Sequence, residues 1–120
     1  MKKKLLLTLM VIMLSLITFG TISASAETEG IYTYTVSNGE VTITDCDESA
    51  SGEIVIPDML GGCSITRIGN YAFFSCKNIV GITIPNSVTN IGGNAFYGCS
   101  SLTSITIPDS VTKIGDSALA

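Results

Sequence analysis

Residues 82–97 read ITIPNSVTNIGGNAFY, and residues 105–120 read ITIPDSVTKIGDSALA. Ten of these sixteen positions are identical at an offset of 23 residues. An earlier copy starts at residues 54–57 (IVIP), where five extra residues, 59–63, come before the pattern resumes. Self-similarity at a fixed period of about 20–50 residues is the signature of stacked repeat architectures. The sequence therefore predicts about three repeats over residues 52–120, of which the last is incomplete.

Each repeat begins with a pattern typical of a strand. Ile105 and Ile107 are expected on one face and Thr106 on the other, which is the period-2 alternation of a half-buried strand. Pro108 ends this strand because it cannot donate a hydrogen bond to a sheet. A second, short extended piece is expected at residues 111–114. The predicted inward-facing positions of the middle repeat are Ile79, Ile82, Ile84, Val88, Ile91, Ala95, Phe96 and Cys99.

A single repeat is too small to fold alone. Burying its eight inward side chains contributes roughly 10–20 kcal/mol. Ordering its backbone costs about 1–2 kcal/mol for each residue. Neighbouring repeats must therefore stack and share one core.

The first 26 residues are expected to be a cleaved export signal. Lys2, Lys3 and Lys4 form a positive start, residues 5–19 are almost wholly apolar, and residues 24–26 give the A-x-A pattern of a cleavage site. A transmembrane anchor is the alternative, but a span needs about 20 apolar residues and this run is shorter. No stable membrane span is predicted after cleavage.

The remaining chain is acidic. Three basic residues remain against ten acidic ones, so the formal charge is −7. Such a surface repels nucleic acid and anionic lipid. The sequence has no His, which excludes His-dependent catalysis and His-ligated zinc within this stretch. No cofactor is expected.

Residues 27–51 differ in character from the repeats. Residues 31–36 and 41–44 alternate as strands do, and Asn38-Gly39 between them is a strong hairpin turn signal. We expect this β-hairpin to cover the exposed edge of the first repeat as an N-terminal cap.

The pattern I-T-I-P-x-S-V-T-x-I-G-x-x-A-F-x-x-C-x-x-L at residues 82–102 resembles the BspA-type leucine-rich repeat. The resemblance implies a right-handed leucine-rich-repeat solenoid of the α/β horseshoe class, here mostly β, with a parallel sheet on one face. It also implies a secreted or surface protein of bacteria that adheres to host or microbial proteins. The departures are Leu119 in place of the repeat's Phe, the five-residue insertion, and the missing C-terminal repeats.

The resulting functional hypothesis is a non-enzymatic protein that binds a host extracellular-matrix or microbial surface protein. One alternative is a structural stalk that presents a downstream domain. The other is the N-terminal part of a surface hydrolase whose catalytic domain follows Ala120.

The candidate binding surface is the concave face of the sheet, opposite the core side chains. Its predicted residues are Glu53, Val55, Gly81, Thr83, Ser104 and Thr106. Concave faces of solenoids are common binding surfaces. The alternative is that Thr simply suits an exposed strand position.

The four cysteines fall into two groups. Cys46 and Cys63 lie in irregular segments beside the hairpin, where a disulfide would tie the hairpin to the first repeat. Cys76 and Cys99 share one repeat position, which favours small buried side chains, with a cross-link between coils as the alternative.

An acidic cluster follows the hairpin and comprises Asp45, Asp47, Glu48 and Glu53. Oxygen ligands are what calcium needs, but the EF-hand spacing is absent. We expect a solvated acidic loop, and no metal site is predicted.

Overall fold

The computed structural model describes residues 25–120. The predicted signal peptide, residues 1–26, therefore lies almost wholly outside the described residues. Within the described part, no helix is long and apolar enough to cross a membrane.

Strands are the only regular elements of residues 25–120. In chain order they are β1 (Glu27–Glu29), β2 (Tyr32–Ser37), β3 (Glu40–Cys46), β4 (Ser51–Val55), β5 (Met59–Leu60), β6 (Cys63–Ile68), β7 (Asn78–Thr83), β8 (Asn90–Ile91), β9 (Ser104–Thr106) and β10 (Lys113–Ile114).

These strands form two sheets. The short sheet has the order β4-β7-β9 and is parallel throughout. The long sheet runs β1-β2-β3-β6-β8-β10, with β5 paired to β6. Each repeat contributes one strand to each sheet, so that coil 1 contains β4 and β6, coil 2 contains β7 and β8, and coil 3 contains β9 and β10.

The short sheet is the parallel sheet predicted from the I-T-I pattern, and the fold is the expected mostly-β solenoid. The second extended piece was also predicted, at residues 111–114, and β10 occupies its last two positions. The sequence did not predict that these pieces pair in parallel, Ile68 with Ile91 and Ile91 with Ile114, to form a second sheet.

The core lies between the two sheets. Seven of the eight inward positions predicted for coil 2 are buried, and Cys99 is half-buried. The Phe73 and Phe96 rings of neighbouring coils stack with centroids 5.2 Å apart. In coil 3 the inward residues Ile105 and Ile107 keep partial exposure because only coil 2 packs against them.

The turn before the Ala-Phe segment depends on a left-handed backbone residue. Tyr71, Asn94 and Ser117 occupy this repeat position, with φ between 55° and 59°. The following residues then form a ladder between coils, in which the Phe73 amide donates to the Ala95 carbonyl at 2.7 Å and the Phe96 amide donates to that of Ala118 at 2.8 Å. Backbone pairing between coils therefore continues outside the two sheets.

The N-terminal hairpin forms as predicted, since β2 and β3 pair antiparallel around Asn38 and Gly39, which have φ of 53° and 78°. Strand β3 then pairs in parallel with β6, with Val41 opposite Ile65. The hairpin therefore extends the long sheet, whereas β4 is an edge of the short sheet among the described strands.

Candidate binding surface

The six residues predicted for the binding face form two rows across the short sheet. Glu53 pairs with Gly81, and Gly81 with Ser104, which gives one row. In the other row, Val55 pairs with Thr83, and Thr83 pairs with Thr106. Parallel pairing in register thus brings all six positions onto three adjacent strands.

Five of these residues are exposed, and the apolar Val55 side chain is 72% exposed. Gly81 is buried, because the carboxylate of Glu53 lies over it. A Cβ at position 81 would lie 2.6 Å from Glu53 Oε1. The face therefore presents one carboxylate on β4 and a pair of hydroxyls, Thr83 on the central strand β7 and Thr106 on β9.

The hypothesised pair Cys46 and Cys63 is not brought together. The parallel register sets Glu40, the first residue of β3, opposite Ser64, so that Cys63 lies near the start of β3 and Cys46 at its end. Six residues of strand separate these positions by roughly 20 Å, and a disulfide requires Cα atoms within about 7 Å. All four cysteines are free, and this register does not bring Cys46 and Cys63 within reach of each other.

Cys76 and Cys99 lie where the buried-side-chain interpretation places them. Cys76 is fully buried, and the Cys99 thiol donates to the Phe73 carbonyl at 3.0 Å. Burial raises the pKa of the Cys76 thiol to about 11 and also raises that of Cys99. Raised thiol pKa values disfavour the thiolate, which is the nucleophilic form.

The acidic segment after the hairpin forms a hydrogen-bonded turn. Asp47 Oδ1 accepts from the Ser49 amide at 2.9 Å and from its hydroxyl at 2.8 Å, which lowers the pKa of the Asp47 carboxyl. Asp45 Oδ1 accepts from the Cys46 amide. Among residues 25–120, no three acidic or cysteine side chains converge as a metal site would require.

Sequence reasoning missed an exposed aromatic strip formed by Tyr71, Phe74 and Tyr97. The Phe74 ring packs edge to face against Tyr71, with ring centroids 5.6 Å apart, and stacks on Tyr97, with ring centroids 5.9 Å apart. Each ring is between 41% and 52% exposed. The signal was available, because Phe74 and Tyr97 are 23 residues apart and directly follow the inward Phe of their repeats.

A shallow groove of about 790 Å³ on the long sheet was also missed. Arg67, Asn90 and Lys113 are cross-strand neighbours along it. Arg67 and Lys113 are two of the three basic residues in the described part of this acidic chain. Gly69, Gly92 and Gly115, which follow the strand residues at the same repeat position, also line it.

Comparison with known proteins identifies this architecture. The family described as "BspA type Leucine rich repeat region (6 copies)" matches residues 46–120, which is more than half of the chain. The chain belongs to this BspA-type leucine-rich repeat family. The resemblance predicted from residues 82–102 is confirmed.

Several solved structures share the fold of this BspA-type chain. A leucine-rich repeat protein from Bacteroides capillosus is 31% identical with a TM-score of 0.71, and the match covers 80% of this chain and 75% of that one. A leucine rich cell surface protein from Faecalibacterium prausnitzii is 34% identical with a TM-score of 0.67, over 82% and 28% of the two chains. The T. pallidum leucine-rich repeat protein is 29% identical with a TM-score of 0.65, over 73% and 42%.

This chain thus spans less than half of the T. pallidum and F. prausnitzii proteins that it matches. No curated protein matches it significantly. The family and these structures establish a leucine-rich repeat protein of the bacterial surface-protein type. Such proteins are typically non-enzymatic, and the type is consistent with protein–protein interaction.

Proposed function

We propose that this protein is exported, is displayed at the bacterial surface and adheres, without catalysis, to a host extracellular-matrix or microbial surface protein. The observation that carries the proposal is the row of exposed polar side chains on the short sheet, in a family that includes a described cell surface protein. Strands paired in register present several side chains to one partner on a fixed backbone, so that binding costs little conformational entropy.

The binding face is the outer surface of the short sheet, defined by Glu53, Val55, Gly81, Thr83, Ser104 and Thr106. The hydroxyls of Thr83 and Thr106 can donate and accept hydrogen bonds, and the exposed Val55 side chain adds apolar area. The Glu53 carboxylate favours a basic partner surface by electrostatic complementarity.

Adhesion is tested by measuring binding of the mature protein to immobilised extracellular-matrix proteins by surface plasmon resonance. The double variant Thr83→Lys/Thr106→Lys places two long cations on adjacent strands of the face and is expected to weaken binding at least tenfold. The matched control is Ser64→Lys/Thr112→Lys, which adds the same charge at exposed positions on the long sheet. Far-UV circular dichroism verifies that both variants fold.

Three outcomes distinguish the alternatives. Loss of binding only in the short-sheet variant supports the proposal. Equal affinity in both variants places the site elsewhere, with the exposed aromatic strip as the next surface to mutate. Absence of binding to any matrix or microbial protein contradicts adhesion and favours the stalk.

Export is tested separately. Residues 1–26 fused to a reporter that lacks its own signal should direct the reporter out of a bacterial cell, and the released product should begin after Ala26. A reporter that stays membrane-bound with uncleaved residues would indicate an anchor instead. Replacing Ala24 and Ala26 with Leu is the matched control, because it keeps the apolar run but removes the small residues that the peptidase needs.

A further inference from the structure

The thiols of Cys46 and Cys76 lie side by side in the core, although 30 residues separate them in the sequence. Cys76 Sγ is 3.9 Å from the Cys46 carbonyl oxygen and 4.0 Å from that of Asp47. Cys46 Sγ is 3.8 Å from the same Asp47 oxygen. The neighbouring Cys76 thiol also adds to the rise that burial causes in the pKa of Cys46. Both sulfur atoms therefore occupy one small space where the hairpin meets coil 1.

The backbones around this space are held at the spacing of paired strands. Strand β3 pairs in parallel with β6, and beyond that pairing the Gly69 amide still donates to the Ile43 carbonyl at 2.8 Å. The segments that carry the two cysteines then continue into neighbouring strands, since β4 pairs in parallel with β7 and Ser51 lies opposite Asn78. The Cys76 side chain thus contacts the backbone of Cys46 from the adjacent coil. A bond between the two sulfurs requires Cα atoms about 4.4–6.8 Å apart, the separation expected of neighbouring extended segments.

We propose that Cys46 and Cys76 form a disulfide that ties the N-terminal hairpin to coil 1 when the protein meets an oxidising environment. This environment follows from the export proposed above, but the pairing itself depends only on the fold. It goes beyond binding, because it assigns a covalent modification to two residues outside the binding face.

The chemistry is thiol–disulfide exchange with a small-molecule disulfide as the oxidant. One cysteine thiolate attacks the oxidant, forms a mixed disulfide and releases one small thiol. The second cysteine thiolate then attacks the cysteine sulfur of the mixed disulfide and releases the other small thiol. Two protein thiols are oxidised by two electrons, and one small disulfide is reduced to two thiols.

Neither of the other cysteines competes well for Cys76 or Cys46. The Cys99 thiol is directed to the Phe73 carbonyl at 3.0 Å. Cys63 lies at the far end of β6, beside the start of β3.

Burial determines when the bond can form. Cys46 and Cys76 are 2% and 0% exposed, and burial raises the pKa of both thiols. The folded, reduced protein therefore offers little thiolate and little access to an oxidant. We expect the bond to form during folding, and oxidation of the folded reduced protein to be at least tenfold slower.

The test is oxidative refolding of the reduced mature protein in a glutathione redox buffer, followed by non-reducing peptide mapping. Trypsin cuts after Arg67 and Lys77, which isolates Cys76 from Cys99. A second protease that cuts after Glu48 or Glu53 separates Cys46 from Cys63. The expected product is a linked pair of peptides that contain Cys46 and Cys76.

Matched variants sharpen the test. Cys63→Ser and Cys99→Ser should keep the link, whereas Cys76→Ser should abolish it. The oxidised wild type should melt roughly 10 °C above the reduced form, because the bond restricts a long loop of the unfolded chain. If a variant does not fold, the peptide map of the wild type still decides.

Several results would overturn the proposal. They are a link from Cys76 to Cys99, any link through Cys63, free thiols after the native fold has formed in oxidising buffer, and a native fold that forms only in reducing buffer. Because the redox buffer is defined, these results are independent of whether the protein is an adhesin.

Discussion

The Gly92 amide donates a 2.7 Å hydrogen bond to the carbonyl of Ile68 in the preceding coil. At this approach a Cβ on residue 92 would lie 2.5 Å from the backbone nitrogen of Asn70. The repeat position is therefore glycine because two coils meet there backbone to backbone. The reason is steric, since Gly92 is not among the glycines with positive φ.

Gly92→Ala should destabilise the protein by about 2–3 kcal/mol, because two of the three obstructing atoms belong to the backbone and the coils must move apart. Gly30→Ala is the matched control, since Gly30 has φ of 62° and open space around its Cβ position. Its cost should be only the left-handed strain of about 1 kcal/mol. Urea unfolding measures the free energy of unfolding of both variants. Equal losses would contradict the steric contact between coils at position 92.

Phe96→Ala should remove about 3–5 kcal/mol of stability, because the ring is buried and stacks on Phe73. Phe96→Leu should cost much less, about 1 kcal/mol, because it preserves most of the apolar volume and Leu119 occupies the same position in coil 3. Thermal unfolding followed by far-UV circular dichroism checks both values. A small effect of Phe96→Ala would contradict a shared core between the coils.

Asn70→Ala should cost about 1 kcal/mol, because Asn70 Oδ1 accepts a 2.7 Å hydrogen bond from the Gly93 amide of the next coil. Asn70→Asp should restore most of this loss, since a carboxylate oxygen accepts the same bond. The comparison of urea midpoints separates loss of the acceptor from loss of side-chain volume. If Asp behaves as Ala does, the hydrogen bond does not contribute.

In the reduced protein, the free energy of unfolding should fall as the pH rises from about 9 to 12. Burial raises the pKa of Cys76 from 9.0 to about 11 and that of Tyr32 from 10.0 to about 12. Below pH 9 both groups are protonated in the folded and unfolded chains, so they add no pH dependence. Above pH 9 these groups lose their protons in the unfolded chain before they do so in the folded protein. The free energy of unfolding therefore falls until the pH exceeds the pKa values of the folded protein.

Urea midpoints measured across this range check the alkaline loss. Tyr32→Phe should remove only the contribution of Tyr32, which falls between pH 10 and 12, and leave that of Cys76. Tyr71→Phe, at an exposed position, is the control for replacing a tyrosine and should leave that part of the profile in place. A midpoint that stays constant to pH 12 would contradict burial of the Tyr32 hydroxyl.

The sequence predicted the coil well because its signals are local. The inward positions from Ile79 to Phe96 follow a strand alternation and a fixed offset, and burial of these side chains is what makes the coil fold. The hairpin was predicted for the same reason, since Asn38-Gly39 specifies its turn within four residues. In each case the residues that determine the feature are neighbours in the chain.

The candidate surfaces were less predictable. The rows of the binding face required only the 23-residue offset, and the structure aligns Thr83 with Thr106 as that offset implies. The separation of Cys46 from Cys63 was not predictable, because it depends on the register between β3 and β6. The aromatic strip was not predicted. Phe74 and Tyr97 directly follow the core residues Phe73 and Phe96, and their rings meet only once the coils stack.

By itself, the sequence determined that this is a solenoid of BspA-type repeats, because alternation, the strand-ending Pro and the period of 23 act through neighbouring residues. Only the tertiary structure decided that the hairpin extends the long sheet through β3 and β6, and that Cys46 meets Cys76. The physical reason is that strand register is set by hydrogen bonds and side-chain packing between segments far apart in the chain. No local pattern in either segment carries that information.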